Sequence, residues 1–295
     1  MNHFSKISNK LFYKLNDNKE ESILKVTKDS KTLLIMHNLY LMTDRKGRAI
    51  TSIDFLIEEL GYKVTKKIQP QVKEILNQLK QLGFIEYEGE IKSYSKIMKI
   101  NTENLNVNDE FFVVEEDELK IISDASDDIR EVNNIIKVYF YLKARCYKRG
   151  TELCYAGGQA ETTYCSYENI SKHTLISEGN IKKYIDILKE INLIDYDNLG
   201  KKYKEDNPKL LTDCANIYAL IKISGKEFIK DELREGMKQQ KYDYEDKGFK
   251  ITKKDYKNNN RKINGRKGYL IKKQNNNTIT EGELMELESI VTSHV

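Results

Sequence analysis

The sequence has no run of roughly 18 apolar residues of the kind that crosses a bilayer. Phe4 to Leu15 is broken by lysine, serine and asparagine, so no secretory leader is read there. A cytoplasmic protein without membrane contact is expected. Cysteine is scarce: Cys146, Cys154, Cys165 and Cys214 include no Cys-x-x-Cys pair, and the only histidine near them is His173. That is poor ligand spacing for zinc, so reduced thiols are expected, with no metal and no other cofactor. His3, His37, His173 and His294 stand apart, which excludes a two-histidine metal clamp beside a nicking tyrosine. The eight arginines are scattered singly, and the cluster of a tyrosine recombinase is missing. No Gly-x-x-x-x-Gly-Lys-Ser/Thr loop is present to hold a triphosphate. With no catalytic constellation, the expectation is a protein that is not an enzyme.

Net charge is only +4, from 50 basic and 46 acidic residues. Its distribution is uneven, because Asp109 to Glu131 is acidic and Lys238 to Lys273 is basic, and the near-neutral total hides opposite local fields. Lysine, asparagine and isoleucine are abundant throughout, as in an AT-rich coding sequence. Any single lysine therefore carries little weight.

What the chain does contain is a pattern that occurs twice. Val72, Ile75, Leu76, Leu79 and Leu82 line up at one constant offset with Ile181, Tyr184, Ile185, Leu188 and Ile191, each set forming one apolar stripe at helical spacing. Both stripes end alike, Gly83-Phe84-Ile85-Glu86-Tyr87 matching Asn192-Leu193-Ile194-Asp195-Tyr196. Gly83 and Asn192 suit the left-handed residue that stops a helix, and the alternation after them suits a strand. A preceding helix is predicted in each copy, at Ser52 to Leu60, with Ser52 as its cap, and at Tyr167 onward. The first copy has the longer connection after Gly61, and Pro70 falls in the opening turn of its second helix, where a missing N–H costs little.

The predicted fold class is α+β, mostly α: two winged helix-turn-helix domains in tandem with a partly disordered basic C-terminal tail. Residues 1–100 form the first domain, 101–130 an acidic linker with a small hairpin or strand, 131–225 the second domain, and 226–295 the tail. Asp29 to Asp44 and Glu131 to Arg149 read as the opening helices of the two domains, the second burying Ile135, Val138, Tyr139 and Leu142. Gly150 to Tyr164 reads as a loop or β-excursion. The second wing uses Leu193 to Asp197 and Asn216 to Ile223 as strands, around a lysine-rich loop. Phe228 to Met237 reads as helical, Lys238 to Asn277 as mobile, and Thr280 to Val291 as a final amphipathic helix.

A helix-turn-helix uses its second helix to reach base edges, and fixes register on phosphates with the first helix and the wing. In the first copy the candidates are Gln69, Gln71, Lys73, Asn77 and Lys80 on the outward side, preceded by Lys66 and Lys67. In the second copy Ser177 is expected to cap the helix and offer N–H groups to a phosphate, with Asn180 the best base reader. Lys182, Lys183 and the wing residues Lys201, Lys202 and Lys204 would supply charge. The basic stretch Lys247 to Lys273, with Tyr256 and Tyr269, suits nonspecific backbone contact or a plain soluble tail.

Ser166 to Tyr196, with its Ile-Ser-Lys-His-Thr-Leu-Ile-Ser core and its Leu-Lys-Glu-Ile-Asn-Leu-Ile ending, resembles winged-helix proteins of Firmicute plasmids and phages. These include plasmid replication initiators, phage replisome organisers and many regulators. The likeness covers the two modules, roughly half the chain by their extent, and implies DNA binding better than it implies a process. It makes the expected function sequence-specific binding of double-stranded DNA in replication initiation. The expected partners are double-stranded DNA, a host replication protein reached through the tail, and a second copy of the chain. A transcriptional regulator or partition-site binder is one alternative, and a winged-helix protein-interaction scaffold is another.

Overall fold

Phe4–Ser8 and the aromatic and β-branched run Phe111–Glu115 form two strands, β1 and β4, that pair antiparallel with Ile7 opposite Phe112, and along β4 Phe112 and Val114 turn into the core. The computed structural model describes residues 4–13, 21–106, 110–149, 162–252, 269–271, 273, 274, 279, 280, 282–285 and 287. The fold is mixed α+β, with small antiparallel sheets. Among the described residues no helix is long and apolar enough to cross a membrane.

In chain order the remaining elements of the first half are α1 (Ile23–Thr27), α2 (Lys31–Leu41), β2 (Arg48–Thr51), α3 (Ile53–Glu59), α4 (Ile68–Gln81) and β3 (Met98–Asn101). The second half holds α5 (Glu116–Ser123), α6 (Ile129–Arg149), β5 (Thr162–Cys165), α7 (Tyr167–Thr174), α8 (Glu178–Glu190), β6 (Ile194–Asp197), β7 (Lys201–Lys204), β8 (Asn207–Asp213), β9 (Asn216–Leu220), α9 (Ile221–Ser224), α10 (Ile229–Asp246) and β10 (Phe249–Thr252).

The duplicated stripes become α4 and α8. Val72, Ile75, Leu76 and Leu79 are buried on the first, and Ile181, Tyr184, Ile185 and Leu188 on the second. Each helix closes in the same way: Phe84 N–H donates to Leu79 carbonyl at 3.0 Å and Leu193 N–H to Leu188 carbonyl at 3.0 Å. The closure needs a left-handed residue, supplied by Gly83 at φ 78° and Asn192 at φ 57°. The helices before them also start alike, with Ser52 and Ser166 side chains accepting from Phe55 and Asn169 N–H at 3.2 Å.

The strands repeat too. β9 lies between β5 and β6, so the last strand in sequence is the middle of its sheet. In the first half β3 pairs with β2, and on its other edge Asn101 exchanges both backbone hydrogen bonds with Glu86, at 2.7 and 3.0 Å. Both halves therefore run helix, strand, helix, helix, and in both a later strand pairs with that strand on one edge and with the chain just after the long helix on the other; that chain is the strand β6 in the second half and a single bridge at Glu86 in the first.

Contacts divide the chain into two compact units, Met1–Asn198 with Ala215–Asp243, and Leu199–Cys214 with Tyr244–Val295. The first unit holds both copies on one continuous core, and α6 is its spine. From Val138 to Leu142 every residue of α6 is buried, so the helix has no solvated face and packs against β4 and α5 as well as against α7, α8 and β5. The segment read as an acidic linker is part of this core. Phe112, Val114 and Ile122 are buried, and Glu118 closes a capping box on Glu115 N–H at 2.9 Å. Both oxygens of the buried Glu118 carboxylate accept from Lys143 Nζ at 2.6 Å, and one accepts from Tyr139 hydroxyl at 2.6 Å. Charge here marks an internal ion pair, where composition suggested solvated chain.

In the second unit β7 lies between β10 and β8. The lysine-rich wing loop is thus a hairpin that carries a third strand from the tail. Part of the segment read as mobile is ordered for definable reasons. Lys238 to Asp246 continues α10, where Gln240 side chain donates to Ala215 carbonyl at 2.9 Å, and Tyr244 meets the Phe249 ring edge-on at 6.1 Å. Residues 282–285 and 287 are helical, and Thr280 and Glu283 cap that turn reciprocally. Most of the Lys247 to Lys273 stretch, including Tyr256, lies outside the described residues.

Candidate functional site

On α4 and in the turn before it, the predicted outward residues divide into two groups. Lys66 and Lys67 are exposed, whereas Gln69, Gln71, Lys73, Asn77 and Lys80 are half-buried. Gln69 Nε2 donates to Asp54 Oδ1 at 2.7 Å, tying α4 to the start of α3. Asn77 Oδ1 accepts from Tyr87 hydroxyl at 2.5 Å, and Lys80 Nζ donates to Tyr87 carbonyl at 2.6 Å while lying 4.2 Å from that ring. Three of the five helix candidates are thus engaged within the fold, Gln69 by α3 and Asn77 and Lys80 by the chain that leaves α4 and turns back along it.

On α8, Ser177, Asn180, Lys182 and Lys183 are all exposed. Ser177 corrects one expectation. Its side chain makes no cap hydrogen bond, since the Asn180 N–H that a capping hydroxyl takes is bonded to Ser177's own carbonyl at 3.0 Å. The lysines are paired: Lys182 with Asp186 one turn on, and Lys183 with Glu131 at the start of α6. These bonds hold the Asp186 and Glu131 carboxyls below their ordinary range. Asn180 side chain makes no hydrogen bond among the described residues and faces solvent.

A polar constellation repeats at the same offset as the apolar stripe. Tyr196 hydroxyl donates to Asp186 Oδ1 at 2.9 Å as Tyr87 does to Asn77, and Lys189 Nζ lies 5.0 Å from the Tyr196 ring as Lys80 does from Tyr87. Burial first, then the bond to Asp186, push Tyr196 up to about 12. Each copy thereby fastens its long helix to the chain that follows, the strand β6 in the second copy and the segment beside the Glu86 bridge in the first.

The remaining charge sits where the sequence reading did not look. A groove of about 860 Å³ lies between β3 and the loop after Tyr87, lined by Lys46, Arg48, Lys92, Lys96 and Lys99. Arg48 bonds Asp44 at 3.0 Å, but the four lysines have no ion-pair partner among the described residues. Glu86, Glu88 and Glu90 share the groove and leave it a positive excess. The signal was dispersed, because these cations come from segments far apart in sequence and meet only when β2 pairs with β3. In the second wing, Lys201, Lys202 and Lys204 lie on β7 rather than in a loop. Lys202 Nζ sits 3.9 Å from the Tyr244 ring centre and 5.1 Å from that of Phe249, and Lys204 Nζ is 5.5 Å from Phe249. Lys201 and Lys204 remain exposed.

The arrangement offers an exposed amide, a helix N-terminus and several cations, the donor set that suits a phosphodiester polymer with readable edges. No protein-family model matches this chain, and no curated protein matches it.

Proposed function

We propose that this chain binds double-stranded DNA through two winged helix-turn-helix modules and acts in replication initiation on a plasmid or phage. The observation that carries the reading is the repeated order of helix, strand, helix, helix and a later strand that pairs both with the first strand and with the chain just after the long helix, as β9 does with β5 and β6 and as β3 does with β2 and, through one bridge, Glu86. In a winged helix that order makes the third helix the groove reader and the loop between the last two strands the wing. α4 and α8 correspond to the reading helices. Asn180 has the amide that bonds an adenine edge bidentately, and among the described residues its side chain has no competing bond. The groove cations Lys46, Lys92, Lys96 and Lys99 give the first module phosphate contacts that its half-buried α4 side chains do not.

The process rests on the resemblance of Ser166 to Tyr196 to plasmid initiators and phage replisome organisers. In that setting the tail is the segment that engages a host replication protein.

Mobility shifts and footprinting against fragments of the neighbouring genome test the reading. Protection of repeated sites inside an origin supports initiation, whereas protection of a promoter operator moves the chain to regulation. Asn180→Ala is expected to lower discrimination between sites by about 1–3 kcal/mol. Replacing Lys92, Lys96 and Lys99 together by alanine is expected to weaken all duplexes alike and to flatten the salt dependence by about one unit per lost phosphate contact. No protected DNA at moderate salt overturns the reading and leaves the interaction scaffold.

A further inference from the structure

The two tyrosine clasps share the hydroxyl bond and the lysine over the ring, although Lys80 donates to the Tyr87 carbonyl where Lys189 pairs with Asp195. They differ at the residue that takes the hydroxyl, a position that controls a second lysine. Asp186 presents two oxygens: Oδ1 takes the Tyr196 hydroxyl at 2.9 Å and Oδ2 takes the Lys182 ammonium. Asn77, the matching residue in the first copy, presents one oxygen, and the Tyr87 hydroxyl occupies it at 2.5 Å. The other end of that amide is an NH₂ group, which donates only and cannot hold a cation. Lys73, the counterpart of Lys182, accordingly has no ion-pair partner among the described residues.

We propose that Asp186 sets the phosphate affinity of the second module by withholding Lys182, and that an amide at this position releases the lysine without loosening the clasp. The inference rests on the DNA-binding reading above. Lys182 and Asp186 are an exposed pair one helical turn apart, with side chains 63% and 36% accessible. Such pairs are weak in water, so a phosphate can compete for the ammonium. The competition is nevertheless handicapped, because the displaced carboxylate stays beside the incoming phosphate and repels it. The first copy shows that the substitution is compatible with the fold: an asparagine oxygen accepts the tyrosine hydroxyl there, and the helix end and the lysine over the ring are both retained. Asp186 is thus a residue that tunes affinity through Lys182.

The test is a double-mutant cycle on the full chain, read as affinity for a mixed-sequence DNA duplex over a range of salt. Asp186→Asn is expected to raise affinity about threefold and to steepen the salt dependence by about one unit, the signature of one added phosphate contact. In a Lys182→Ala background the same change is expected to leave affinity and slope where they were. Equal gains in both backgrounds would mean a general loss of negative charge and would overturn the inference, as would no gain in either. Thermal unfolding of Asp186→Asn matching the unaltered chain shows that the clasp persists, and a clear loss of stability also overturns it. Binding without coupling removes this inference alone, whereas an unaltered chain that shows no salt-dependent DNA binding removes the proposed function as well.

Discussion

The two copies within the first unit share a scaffold and differ in what they leave exposed. α4 and α8 bury equivalent stripes, close on equivalent left-handed residues and carry equivalent tyrosine clasps. α8 exposes Asn180, Lys182 and Lys183, the Asn180 side chain making no hydrogen bond among the described residues, while α4 has its polar side half-buried and exposed cations of the first copy lie in the groove beside β3. The two copies share the parts that hold a helix in place. They differ in the polar groups left exposed, on a helix face in one and on a strand-and-loop surface in the other.

The largest test of this comparison asks whether the copies stand or fall together. Glu118→Ala strands the buried Lys143 ammonium and is expected to cost about 3–5 kcal/mol, as for other buried pairs broken on one side. Denaturant unfolding of that variant, followed by probes in each copy, should give one coincident transition; separated transitions would break the picture of a shared core. Next come Leu79→Ala and Leu188→Ala, two fully buried and equivalent positions, each expected to cost about 3 kcal/mol. A difference well beyond the scatter of such measurements would show that one copy is held more loosely than the other.

Acid separates the copies further. His37 is buried against Ser5, and burial lowers it from 6.5 to about 4, while His173 is only half-buried and is lowered in the same direction. Both are bases that prefer to be neutral in the fold. The unfolded chain therefore binds more protons between pH 6.5 and 4, and stability falls as pH drops through that window. For His37 the full effect is about 3 kcal/mol. Comparing the pH dependence of stability in His37→Gln and His173→Gln should show the larger flattening for the first; equal flattening would refute the difference in burial. Smallest is Leu175→Gly. Leu175 ends α7 at φ 58° with its side chain largely exposed, and relieving that conformation is expected to add about 0.5–1 kcal/mol by thermal unfolding.

The apolar stripes and helix stops were legible because they depend on residue type at fixed spacing. Gly83, Asn192 and Ser52 announce their roles locally, whereas Ser166 caps α7 without having been singled out and Ser177, expected to cap α8, makes no cap bond. The segment from Asn101 to Arg130 hid its role behind composition: its carboxylates look solvated until Lys143, on a different helix, is brought against Glu118. The same limit applies to the groove, where Lys46 and Lys99 face one another only through strand pairing. The tyrosine clasps stood in the sequence at the offset of the stripes, yet a comparison of nonpolar positions passes over Asn77 and Asp186. Lys183 shows the reverse failure, an outward lysine by periodicity whose partner Glu131 comes from α6.

With Phe112, Val114 and Ile122 in the core and α6 common to both copies, the proposed DNA-binding function would have the spacing and phase between its two reading helices set by the fold and not by a tether. A duplex carrying two sites at another spacing would have to twist or bend to meet both, and the elastic cost would fall on the DNA. Under that proposal, the separation of sites along the helix would be part of the address, alongside the bases within them.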